Sequence, residues 1–197
     1  MYVLTRLATA LFLAAAGSAT AADARLEQFW PEHQQRLHQA PERAAAMNTA
    51  AKVEASDADA KAVVEELLAE THQPLDAAAL TGEWRVRSLQ GGRYGIYVYP
   101  WFKARIEERD GRLFFEKTSG SQRRSGWLLP PAGGQGDWYF QGGATVNEDP
   151  QVGYSKIGDG GPRESDSVGT VWGISEDRIL MLLDVNESGY EIYQLKR

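Results

Sequence analysis

The chain has 197 residues, with 27 acidic against 21 basic side chains, a net charge of -6 and no cysteine. That balance argues against phosphate-backbone binding, which an excess of Lys and Arg drives, so nucleic acid is not an expected partner. Without Cys there is no disulfide framework, no thiolate metal site and no cysteine to carry a lipid, so the fold must rest on its hydrophobic core.

In chain order, the first segment is a short start with Arg6 as its positive charge, an apolar run over residues 7–17, and the small residues Ser18-Ala19-Thr20-Ala21-Ala22. This is the three-part layout of a secretory signal peptide over residues 1–22, with Ala19-Thr20-Ala21 as the best cleavage match. The apolar run is about half of the roughly 20 residues that a bilayer core requires, so no stable transmembrane anchor is expected. The expectation is a periplasmic or secreted protein, not a lipoprotein, with a mature chain of about 175 residues beginning near Asp23.

Residues 23–79 contain no Gly, all three histidines and much Ala, Glu, Gln and Leu, which is helix-forming material. Leu26, Phe29, Trp30, His33 and Leu37 recur at helical spacing, with Pro31 opening or kinking that helix. Pro41 is expected to start a second helix over residues 42–53. Ser56-Asp57-Ala58-Asp59 fits a capping box for a third, whose apolar face is Ala60, Val63, Val64, Leu67 and Leu68. Isolated short helices are marginal in water, so these should dock on something.

From Leu80 the composition changes to Gly, Tyr, Trp and β-branched residues, and residues 80–197 read as a β-domain. Strands are expected over residues 83–89, 95–107, 112–118, 125–129, 138–141 with a run to 146, 168–174, 178–185 and 190–195. Asp110-Gly111 between two apolar-patterned runs is the strongest hairpin signal. Trp84 and Val86 share one face, and Ile96 and Val98 are expected to continue it. Pro100 interrupts the second strand and belongs at an edge or bulge. Residues 179–185 are apolar on both faces until Asp184, so the helices should cover that strand from outside. The expected fold is α+β: N-terminal helices packed on an antiparallel meander of about eight strands, a barrel or strongly curled sheet of lipocalin-like form.

The chemistry is defined largely by exclusions. His33, His38 and His72 are not spaced to put two imidazoles on one helix face, so neither a metal nor a cofactor is expected. The β-domain holds no His or Cys, so a Ser-His or Cys-His nucleophile there would need a histidine lent by a helix. No G-x-S-x-G elbow or phosphate-cradling loop occurs.

One dense polar patch stands out between two apolar runs, Lys117-Thr118-Ser119-Gly120-Ser121-Gln122-Arg123. Leu113, Phe115 and Lys117 should share a face, with Ser119-Gly120-Ser121 turning the chain. A solvated hairpin tip accounts for this pattern. The functional alternative is that Lys117, Ser119, Ser121, Gln122 and Arg123, with Trp101, bind a small polar, anionic or amphipathic ligand. The aromatic residues, among them Trp84, Trp101, Trp127, Trp138 and Trp172, are either core and rim residues or an exposed platform for a sugar or apolar ligand. Three functional readings stay open: a non-catalytic binding module for a small-molecule or envelope ligand, an envelope hydrolase using carboxylates such as Glu116 and Asp184, and a structural envelope protein.

Two resemblances bear on these readings. Gly82-Glu83-Trp84 is similar to the G-x-W that opens lipocalin-type barrels, which implies a tryptophan packed at a closed end against an arginine from a late strand. More of the chain resembles domain-of-unknown-function family 4893, exported proteins of proteobacteria. That resemblance rests on Gly82-Glu83-Trp84-Arg85-Val86-Arg87, on Tyr99-Pro100-Trp101-Phe102-Lys103-Ala104-Arg105-Ile106, on Lys117 to Arg123 with Gly126 following, and on Tyr190-Glu191-Ile192-Tyr193-Gln194-Leu195. It implies cysteines in many relatives where this chain has Val86 and Ala104, and it implies no activity.

Overall fold

The computed structural model describes residues 23–51, 58–93, 95–134 and 136–197. The signal peptide expected over residues 1–22 and the capping residues Ser56 and Asp57 lie outside the described residues. Among those described, nine strands follow one another: β1 (Gly82–Gly92), β2 (Gly95–Val98), β3 (Phe102–Arg109), β4 (Arg112–Lys117), β5 (Gln122–Leu129), β6 (Trp138–Val146), β7 (Asp166–Ser175), β8 (Arg178–Leu183) and β9 (Gly189–Lys196). Each pairs antiparallel with its neighbour in the order β2-β1-β3-β4-β5-β6-β7-β8-β9, and β1 also pairs with β9. Eight strands therefore close into a barrel and β2 is an extra strand on β1, so the expected α+β barrel is what forms.

Local chemistry explains the connections. Asp110 and Gly111 sit at φ 52° and 73°, the left-handed pair that a two-residue hairpin between twisted strands requires. The strand expected over residues 95–107 is divided in two. Pro100 cannot donate to a ladder, so β2 pairs with the second half of β1, β3 pairs with the first half, and Tyr99-Pro100-Trp101 lies between them. Gly126 and Gly142 pair across β5 and β6, where a Cβ on Gly126 would meet Gln141 O at 2.4 Å.

The barrel interior is filled by Trp84, Val86, Ala104, Ile106, Phe115, Phe140, Met181 and Leu195. Val86 and Ala104, where the family resemblance implies cysteines, are both part of this core. One face assignment is corrected. Ile96 packs in the outer cluster and Val98 is exposed, because the β1–β2 register sets Ile96 opposite Gly91 and Val98 opposite Leu89, away from the Trp84 face.

Among the described residues three helices precede the barrel, α1 (Pro31–Ala50), α2 (Ala58–Ala69) and α3 (Ala77–Leu80), after a 3-10 turn over Ala24–Gln28. Pro31 opens α1 as expected, but Pro41 does not start a new helix: α1 runs straight past it. The missing N–H and the ring of an internal proline normally break a helix at a cost of about 3 kcal/mol. Here Pro41 faces solvent, while Leu37, Ala40, Ala44 and Asn48 form an unbroken buried stripe on the other side, and this packing holds the helix together. Ala40, Ala44, Val64 and Leu67 cover Leu180, Leu182 and Ile192 on the outer face of β8 and β9. That cover is why residues 179–183 are apolar on both faces.

Candidate functional site

The two ends of the barrel differ in chemistry. At the end where β1 begins, Trp84 donates its indole N–H to Leu80 O at 2.8 Å, and Trp138 donates to Leu75 O at 3.0 Å. Arg197, one residue beyond β9, lies 4.6 Å from the Trp84 ring and donates to Ala79 O and Thr81 O at 2.8 and 2.9 Å. This is the tryptophan and late arginine that the lipocalin-type resemblance implies, and it closes that end. Beside it lies an open cleft of about 450 Å³, lined by Arg25, Arg112, Leu113, Leu128, Leu129 and Trp138 among others.

At the other end the inward positions turn polar. The alternation that points Leu113 and Phe115 inward also sends Lys117 inward, and likewise Leu128 leads to Arg124, and Leu195 and Tyr193 to Glu191. Arg124 is the hub. Its Nη1 lies 2.5 Å from a Glu191 carboxylate oxygen and donates to Tyr193 Oη at 3.0 Å, and its Nη2 donates to Asp184 at 2.8 Å. Its Nε reaches Ser167 Oγ at 2.9 Å. Ser88 donates to the second Glu191 oxygen at 2.5 Å, and Asp184 also accepts from Ser167 Oγ and Val168 N–H. Burial works against the Arg124 charge, but Tyr193, Glu191 and Asp184 more than offset it and hold the guanidinium well above its ordinary value. Burial likewise drives the Tyr193 phenol upward, so it stays a neutral partner.

Lys117 is different. Only 4 % exposed, its Nζ donates to Gln122 O at 2.5 Å and sits 4.5 Å from the Phe102 ring and 5.6 Å from that of Tyr193. Among the described residues no carboxylate lies within ion-pair distance of it. Burial pulls its ammonium below the ordinary value, Glu191 restores part of this, and Arg124 adds to the depression. A lysine shifted this way costs stability in full below its folded value, and the cost falls as pH rises from that value towards the ordinary lysine value, above which it is gone.

The remaining patch residues separate by strand face and turn. Gln122 gives its carbonyl to Lys117, and its side-chain oxygen accepts from Gln90 at 3.0 Å, while Tyr99 donates to Gln90 at 3.3 Å. These bonds link Lys117, through Gln122, to Gln90 and Tyr99. Ser119 Oγ accepts from Lys103 N–H at 2.8 Å, which ties the hairpin tip to β3, and Ser121 accepts from Asn147 N–H through its carbonyl. Arg123 points outward and clamps the β6–β7 loop through the carbonyls of Asn147 and Asp149. Arg123→Ala is therefore expected to lower stability by about 1 kcal/mol in urea unfolding without altering ligand retention. Trp101 stays apart from the patch, on the outer barrel surface beside Arg87 and Lys196.

The carboxylates named for a hydrolase do not meet. Glu116 is raised by burial but lowered further by hydrogen bonds and charge from Arg105, with Gln151 and Arg109 assisting, which leaves it below the ordinary carboxylate range. Asp184 belongs to the Arg124 hub instead. Nor do the described histidine contacts reach a serine: His33 Nδ1 lies 2.7 Å from Tyr154 Oη, and His72 Nδ1 lies 3.0 Å from Asp137 while its ring stacks on Trp172. Burial lowers His33, with Arg36 adding to the effect, and raises the Tyr154 phenol to about 12. Among the described residues no group of three or more His, Asp or Glu side chains converges as a metal site, and no helix is long and apolar enough to cross a membrane.

Neither the curated proteins nor the solved structures contain a match to this chain. One family model does match, described as a domain of unknown function, DUF4893, and it spans residues 27–195, from the first helical turn through β9. The helices, the closed barrel and its polar end thus fall within a single family unit, and the chain belongs to the DUF4893 family.

Proposed function

We propose that this protein is an exported, non-catalytic binding module that takes a small anion at the polar end of its barrel. The observation that carries this reading is Lys117: a buried ammonium with one hydrogen-bond acceptor, two aromatic rings and, among the described residues, no carboxylate within ion-pair distance. Buried charges are ordinarily paired, because an isolated one loses its hydration without return. A small carboxylate or phosphate entering past Gln90, Gln122 and Tyr99 supplies the missing partner. Arg124 holds the floor of the site in place, its own charge already matched by Glu191 and Asp184.

Lys117→Met tests this. Its melting temperature is expected to stay within about 4 °C of wild type, because an uncompensated charge is removed along with one hydrogen bond. Wild-type protein titrated with acetate, phosphate and short dicarboxylates should show a rise in melting temperature with at least one of them, and the variant should show none. Equal responses in both proteins would remove the anion from the barrel mouth.

A second reading, an amphipathic ligand, is favoured by the cleft of about 450 Å³ with Leu113, Leu128, Leu129 and Trp138 in its wall. Its size lies within the range of small-ligand sites. Binding there would survive Lys117→Met.

A further inference from the structure

The outer surface of the barrel carries an arrangement that neither end explains. Strand register sets Lys103 opposite Arg85, Arg85 opposite Lys196, and Lys196 opposite Arg178, so four cations form one row across β3, β1, β9 and β8. Like charges directly opposite one another destabilise a sheet. This row occurs in a chain whose net charge is -6.

Counter-charge within the protein is scarce. Arg178 reaches Glu70 at 3.2 Å, whereas among the described residues Arg85, Lys103 and Lys196 have no carboxylate within ion-pair distance. Trp101 lies beside the row, its ring 4.4 Å from Lys196 Nζ and 5.0 Å from the Arg87 guanidinium. A cation over an exposed aromatic ring gains only about 0.5–1 kcal/mol, and it does not cancel the charge. Arg87 shows the crowding: burial lowers its pKa, and the charge of Arg178 lowers it further.

Strands in a sheet lie about 4.8 Å apart, so the row presents four positive charges over roughly 15 Å. We propose that this row and Trp101 bind an acidic glycan, a linear oligosaccharide with a carboxylate or sulfate on successive sugars. A regular line of anions matches the line of cations, and the Trp101 indole offers apolar aromatic surface to a sugar ring. The neighbouring outward positions, Glu83, Arg105 and Gln194, are polar, which does not suit insertion into a lipid surface. The overall negative charge does not suit a nucleic acid.

The test uses the full mature chain and tetragalacturonate in calorimetric titration at low and moderate salt, with neutral maltotetraose as control. The wild type is expected to bind tetragalacturonate, and to bind it more weakly as salt rises. The double variant Arg85→Ser, Lys196→Ser should bind about tenfold more weakly, as for the loss of two exposed ion pairs. Its melting temperature should equal or exceed that of the wild type, since the opposed charges are gone. Absence of binding by the wild type, equal binding of maltotetraose, or undiminished binding by the variant would each overturn the proposal. So would a variant that melts well below the wild type, which would make the row a structural element, or capture by phosphatidylglycerol vesicles without tetragalacturonate binding.

Discussion

Arg124→Met is expected to destabilise the protein by about 3 kcal/mol, because it leaves a buried Glu191 and a partly buried Asp184 without their shared cation. The side chain touches four residues at three places in the barrel: Tyr193 and Glu191 on β9, Asp184 just after β8, and Ser167 on β7. No single one of those contacts accounts for the effect. Removing the guanidinium takes the counter-charge from two carboxylates at once; Asp184 keeps its bonds from Ser167 and Val168, whereas Ser88 serves only one oxygen of Glu191. Equilibrium urea unfolding measures the loss. Adding Glu191→Gln to the variant should recover part of it, because an amide needs no counter-charge. A loss under about 1 kcal/mol would mean that water already reaches this cluster and that the barrel is open further than its contacts indicate.

Trp84→Ala is expected to cost a similar amount, about 3–5 kcal/mol, by a different route. The indole is 3 % exposed, fills the closed end, and donates to Leu80 O, while Arg197 covers its ring. Truncation therefore creates a cavity and also leaves the Leu80 carbonyl unpaired. Arg197→Ala should cost less, about 1 kcal/mol, since it removes only a surface cation and its hydrogen bonds to Ala79 and Thr81. Urea unfolding of the two variants side by side checks the order. If Arg197→Ala proved the more damaging, the cap and not the tryptophan would hold that end together.

Much of this architecture was legible because it rests on local chemistry. Asp110-Gly111 set a hairpin, and the period of two put Leu113, Phe115 and Lys117 on one face of β4, the face that barrel closure turns inward. The two-sided apolar run of β8 announced its helical cover. What the sequence hid depends on register and tertiary packing. Pro41 reads as a helix boundary by propensity, and only the buried stripe from Leu37 to Asn48 overrides it. Ile96 follows a sequence alternation that the β1–β2 register shifts to the outer face.

The candidate site shows the same division. Lys117 follows from its neighbours on the strand, whereas the polar run points to Arg123, although Gly126 and Leu128, two and four residues beyond Arg124, share the inward face with Arg124. Counting back from Leu128 would have selected Arg124. Glu191 carried a similar signal, since it alternates with Tyr193 and Leu195. The partnership of Arg124 with Asp184 and Ser167 had no local signal, because barrel closure brings those strands together.

The most direct test of the barrel as a binding module is native mass spectrometry of the mature protein purified from the compartment of the cell that receives it. The account predicts a second species heavier by the mass of one small anion, present in wild type and missing from Lys117→Met. A single bare mass in both, under conditions that keep a control anion complex intact, would contradict it.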